Sequence, residues 1–241
     1  MIEPLPPAPT PAAWMQLNQQ ITTCRLCPRL VAWRESVAVT RKKAYQDCEY
    51  WGKPVPGFGD PHARILVVGL APGAHGSNRT GRMFTGDSSG IFLYAALHRT
   101  GFASQPTSTN RSDFLTLTDL FITAVGRCAP PQNKPEPQEL LNCQPFLLQE
   151  ITLLPRLQGL VALGRIAYDR LLRIFYPNLP GYGNVPFSHG AFYAPEEGKP
   201  WILASYHPSR QNTQTGKLTI AMFDRIWQKA RELLITAPQG G

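Results

Sequence analysis

Residues 65–70 read ILVVGL, and the chain continues to residue 90 as APGAHGSNRTGRMFTGDSSG. The first six residues are an apolar, β-branched run of strand length, leading into a loop rich in glycine. The run has no polar alternation, so both of its faces are expected to be covered. Three further runs of this kind lie downstream: Phe121–Val125 (FITAV), Leu160–Leu163 (LVAL) and Trp201–Ser205 (WILAS). Helical patterns follow them in turn, near Gly90–Thr100, Pro137–Ile151, Arg165–Phe175 and Lys217–Leu234. Short buried strands alternating with helices specify an α/β fold. The expected architecture is three layers, α/β/α, around a central four-stranded parallel sheet. Sites in such sheets form beyond the carboxyl ends of the strands. The loops beginning at Leu70, Val125 and Ser205 are therefore expected to converge.

Upstream of this core, residues 1–11 (MIEPLPPAPTP) carry five prolines and read as an extended tail. Residues 12–241 are then one domain. A helix is expected from Ala12 to Thr23, a basic polar stretch from Pro28 to about Asp47, and a Pro/Gly-rich loop from Gly52 to Pro61.

The 241 residues include 43% hydrophobic side chains, with five Trp, eight Tyr and eleven Phe. That is enough to bury a core, which excludes global disorder. No apolar run reaches the roughly 18–20 residues a membrane span requires, and the N-terminus lacks a secretory pattern. A cytoplasmic monomer is expected. Twenty-four Lys+Arg against 16 Asp+Glu leave a net charge of +8. Such an excess favours polyanionic partners, nucleic acid first, through counterion release.

Five cysteines in a reducing compartment do not make a disulfide framework. Cys24 and Cys27 form a C-x2-C pair, and Cys128 and Cys143 follow about 100 residues later. Two pairs, each beside a turn or helix start, suggest one four-thiolate metal site. Zinc and a [4Fe–4S] cluster both fit four cysteines, and spacing does not choose between them. The site would staple the N-terminal helix to the loop after the second strand. Cys48 lies outside either pair.

In the loop after ILVVGL, a dinucleotide fingerprint is absent. Gly81–Ser88 has the spacing of a phosphate-binding loop, but Asp87 stands where its lysine should be. A carboxylate there repels phosphates, which removes the NTPase reading. What remains is a set of backbone donors with one aromatic, Phe84, on which a flat ring could stack, and one acid, Asp87. Asp87 also reads as a helix N-cap. The second loop, SYHPSRQNTQTGK (205–217), places His207 at a strand end among hydroxyl and amide side chains around Arg210. Those groups suit phosphate oxygens and a wedge into a base stack.

GLAPGAHGSNRTGRMFTGD and SYHPSRQNTQTGKLT resemble the two active-site motifs of the family 5 uracil-DNA glycosylases. RCAPPQNKP resembles their middle segment, and the four cysteines resemble the [4Fe–4S] ligands that families 4 and 5 share. The likeness runs from about Cys24 to Phe223. Ala71 and Ala124 stand where family 4 carries Glu and Asn, which matches family 5 and its broader choice of bases.

The resemblance implies cleavage of the N-glycosidic bond of uracil, hypoxanthine, xanthine or ethenocytosine in double-stranded and single-stranded DNA. It makes Asp87 and His207 catalytic. Gly69, Ala71, Pro72, Gly73, Phe84 and Asn133 would meet the base. Asn78, Arg79, Ser209, Arg210 and Gln211 would meet the DNA. Cys24, Cys27, Cys128 and Cys143 would hold a structural [4Fe–4S] cluster.

Overall fold

The computed structural model describes residues 10–177, 185–194 and 198–236. Most of the expected tail lies outside these residues. Its last two residues belong to the first helix: Thr10 caps α1 (Pro11–Thr23), accepting from the Ala13 amide, and Pro11 occupies the first turn. Proline suits that position because its missing N–H would have no helical partner there. A second helix, α2 (Pro28–Thr40), again opens on proline and accounts for most of the basic polar stretch.

The four expected strands are present as β2 (Ile65–Gly69), β3 (Leu120–Ala124), β4 (Gly159–Leu163) and β6 (Trp201–Ser205), and every residue in them is buried. The sheet nevertheless has six strands. Two-residue segments, β1 (Phe58–Gly59) and β5 (Phe192–Tyr193), pair antiparallel with β3 and β6 at the two edges. The order is β1-β3-β2-β4-β6-β5, with β3, β2, β4 and β6 mutually parallel. The four-strand expectation thus describes the parallel centre and misses both edges. Two residues are too few to show a period, and pairing alone defines them.

Helices cover both faces. Alternate residues of β2 point to opposite cores: Ile65 and Val67 to one, Leu66 and Val68 to the other. The first core is closed by α4 (Ser88–Arg99) and α8 (Ile220–Thr236) through Leu93, Leu97, Phe223 and Trp227. The second is closed by α5 (Pro137–Thr152) and α6 (Arg165–Phe175) through Leu140, Leu147, Tyr168 and Leu171. Trp14 of α1 stacks on Phe121 at 4.7 Å and adds a corner to this layer. The three-layer arrangement puts the carboxyl ends of β2, β3 and β6 on one edge, where the two long motifs leave the sheet.

Candidate active site

The backbone turns out of β2 at Gly69 and re-enters a helix only at α3 (Ser77–Thr80). Gly69 is buried, and a Cβ there would lie 2.7 Å from the Phe84 ring. Glycine therefore lets that ring settle on the strand end. Phe84 itself has φ of +51°, a left-handed conformation that costs free energy for a bulky residue. The ring lies 5.8 Å from the His207 ring, tilted by 32°.

Asp87 is the N-cap of α4, and one carboxylate oxygen accepts from the Gly90 amide at 3.0 Å. The other oxygen overhangs the Gly73–Gly76 turn. A Cβ on Gly76 would come within 1.9 Å of it, so this glycine keeps the carboxylate in place. Burial raises the Asp87 carboxyl above the usual range, while the Gly90 and Ser89 amides and Arg79 pull it back. The cap and the expected catalytic acid are thus one side chain with one oxygen for each use.

His207 follows the end of β6. Its carbonyl accepts from Asn212 at 2.8 Å, which fixes the turn into α7 (Arg210–Gln214). Neither ring nitrogen is engaged by another described residue. Burial pushes the imidazole down to about 4, so it is neutral at physiological pH and carries one N–H donor.

These groups line one cavity of about 540 Å³. Its wall includes Ala71, Gly73, Phe84, Asp87, Asn133 and His207, with Ser209, Arg210 and Gln211 at the rim. The convergence expected of the three loops is observed. Asn133 sits on a 3₁₀ turn (Pro131–Asn133) in which Gln132 and Asn133 both have positive φ, a strained pair that turns Asn133 to the mouth. Ser209 caps α7 through the Asn212 amide, leaving Arg210 and Gln211 exposed.

Several assignments change. Gly69 and Pro72 are buried behind the wall rather than in it. Asn78 is fully buried and donates to the Arg34 carbonyl at 3.2 Å, so it ties α3 to α2 and does not reach DNA. Arg79 braces the loop from within, donating to the carbonyls of His75 and Gly86 at 2.8 and 2.9 Å. The sequence reading overlooked His75, which lines the cavity and bonds Tyr50 Oη through Nδ1 at 3.0 Å. The signal was available: a histidine between two glycines of the same loop. Its partner, 25 residues upstream, gave none.

All four paired cysteines line a second, smaller pocket. Cys24 and Cys27 flank the turn between α1 and α2, Cys128 follows β3, and Cys143 lies on α5. Leu30, Val31 and Phe146 enclose them. Arg34 donates to the Cys128 sulfur at 2.8 Å, and Asn142 to the Cys27 sulfur at 3.3 Å. Burial pushes the Cys128 thiol up to about 12, against the pull of Arg34. Among the described residues, no three His, Cys, Asp or Glu side chains are grouped as for a metal ion. No described helix is long and apolar enough to cross a membrane.

The family model of the uracil DNA glycosylase superfamily matches residues 56–231. A type-5 uracil-DNA glycosylase of Thermus thermophilus is 56% identical over 215 residues, 89% of this chain and 95% of that protein. Its Mycobacterium leprae counterpart is 49% identical over 90% of this chain and 94% of its own length. A type-5 enzyme of Pyrobaculum aerophilum is 40% identical over 92% and 94%. With the cavity, the sheet and both loop motifs within these matches, the chain belongs to the type-5 branch of the uracil-DNA glycosylase superfamily.

Proposed function

We propose that the protein is a monofunctional DNA glycosylase. It extrudes uracil from DNA and hydrolyses its N-glycosidic bond, leaving an abasic site for repair. The observation that carries this reading is the meeting of Asp87, Phe84 and His207, drawn from loops 120 residues apart, in one cavity beside the exposed Arg210.

A base must leave the stack before this bond can be reached, and a mispaired base leaves at lower cost. Within the cavity the ring lies on Phe84. Water attacks C1′ and gives a proton to the Asp87 oxygen not used in capping. The C1′–N bond breaks, and its electron pair leaves on the base. The His207 N–H donates to a base carbonyl as that charge develops, and a fixed donor in a dry site is worth most there. Because the leaving group is a delocalised anion, the second carboxyl acid of ordinary glycosidases is dispensable.

At position 71 the wall carries a methyl group and no charged side chain. The lack of a carboxylate there supports release of hypoxanthine, xanthine and ethenocytosine as well. Duplex and single-stranded oligonucleotides carrying each base settle the range. We expect uracil release with at least one of the other three. Release confined to uracil would narrow the activity, and no release from any would remove it.

Cys24, Cys27, Cys128 and Cys143 are proposed to hold a [4Fe–4S] cluster that ties α1 and α2 to the sheet. The donor set fits the group: four thiols on one pocket, two of them buried, with the Arg34 guanidinium to offset thiolate charge. When bound, the cluster supplies cross-linking and no step of base release. The purified protein is expected to be brown, and Cys128→Ala to lose the colour and unfold at lower denaturant. A colourless, zinc-loaded protein of full stability would replace the cluster with zinc.

A further inference from the structure

Beside the base cavity lies a second recess of about 440 Å³, walled on its far side by Lys42, Tyr45 and Gln214. It shares His75, Asp87, Ser88 and Arg210 with the base cavity, so the two are contiguous. Lys42 and Arg210 are exposed, and neither is ion-paired with a described residue. The segment bearing Lys42 is clamped to the loop. Arg79 lies over the Tyr45 ring at 4.1 Å, and the Lys42 amide donates to Tyr50 Oη at 3.4 Å.

His75 Nδ1 is bonded to Tyr50 Oη, 3.0 Å away, and its Nε2 is bonded by no described residue. Burial, and after it Lys42 and Arg79, hold the imidazole below its usual range. The recess thus offers two cations and one imidazole whose Nε2 is uncommitted among the described residues. Its single acid, Asp87, has one oxygen on the Gly90 amide and the other over Gly76.

We infer that Lys42, His75 and Arg210 form a subsite for one DNA backbone phosphodiester next to the flipped nucleotide. The inference rests on the glycosylase reading, because it is base extrusion that brings a sugar to Asp87 and a phosphate past it. Lys42 and Arg210 supply charge to the recess, and the Nε2 edge of His75 supplies an N–H. Contacts of this kind set register without reading sequence.

The test is binding of duplexes that carry a non-cleavable 2′-fluoro-deoxyuridine, followed by anisotropy across a salt series. Lys42→Ala is expected to weaken binding about tenfold, the worth of one charge-assisted contact, whatever the base. It should also reduce the slope of log K on log salt by about 0.9. Single linkages around the lesion are then made neutral as methylphosphonates. One linkage should weaken the wild type yet cost Lys42→Ala nothing further, and His75→Ala should show the same linkage. His75→Gln, which keeps an N–H, should recover part of the loss. Losses that add at every linkage, or an unchanged salt slope, would overturn the subsite. Base release is scored separately on normal uracil duplexes. Its absence beside a linkage-specific loss would remove the glycosylase reading and leave the phosphate contact standing.

Discussion

Replacing His207 by Ala is expected to slow single-turnover uracil release by about 10²-fold or more, the usual cost of deleting one donor aimed at developing negative charge. Asp87→Ala should lose at least as much, but it also removes the cap of α4, worth about 1 kcal/mol of stability. Asp87→Asn separates the two uses. Asparagine caps a helix as well as aspartate does, yet it accepts no proton from water. If Asp87 serves only α4, Asp87→Asn remains active. If it serves the reaction, the variant is stable and slow.

The pH profile gives an independent reading of the same pair. Burial holds His207 near 4, well below free imidazole, so its charge is constant from pH 8 down past 6.5. It contributes no inflection in that window. Asp87 is shifted the other way, upward through burial, so its protonation begins above the ordinary carboxylate range as pH falls. The acceptor for the water proton is then lost. The expected kcat/KM profile is flat around neutrality with an acid limb set by Asp87, and the limb disappears in Asp87→Asn. An inflection centred near 6.5 that survives in Asp87→Asn would assign the titration elsewhere and contradict a desolvated His207.

The parallel centre of the sheet was legible because five-residue strands buried on both faces read as nearly continuous apolar runs. ILVVG and WILAS are such runs. The edge strands Phe58–Gly59 and Phe192–Tyr193 were not, since nothing in two residues distinguishes a strand from a loop. Asp87 and His207 were legible through their place after strand ends and through resemblance. The misplacement of Asn78 has a plain physical cause. A polar residue within a glycine-rich motif looks like a ligand contact, and only the packing of α3 against α2 shows that its amide is spent on the Arg34 carbonyl. Phe84 was legible as an aromatic but not as a residue of positive φ, because its backbone conformation and the approach of its ring to Gly69 are tertiary features.

The largest stability loss is expected at a position with no part in the chemistry. Glu150 is fully buried on α5 and meets Arg127, itself 1% exposed, through two bonds of 2.9 and 2.6 Å. Thr123 of β3 donates to it at 2.6 Å, and the Gly57 amide at 3.2 Å. One carboxylate therefore joins a central strand, a helix and the loop that carries Cys128. The Arg127 and Thr123 donors are buried and have no water to turn to. Glu150→Ala leaves the Arg127 guanidinium as an uncompensated charge, and breaking a buried pair in this way costs about 3–5 kcal/mol. Against a typical total of about 5–15 kcal/mol, that is a large share. In a chain of this size each kcal/mol moves Tm by roughly 2–4 °C, so a fall of about 10 °C is expected in thermal unfolding. Glu150→Gln should lose less, because the amide oxygen still accepts while the charge is gone. If instead both variants unfold with the wild type, water reaches Arg127 and the pair is not sealed. The loss should also exceed that of an exposed pair such as Arg165–Asp169 on α6, which solvent screens. Removing that surface pair is the control that separates burial from charge.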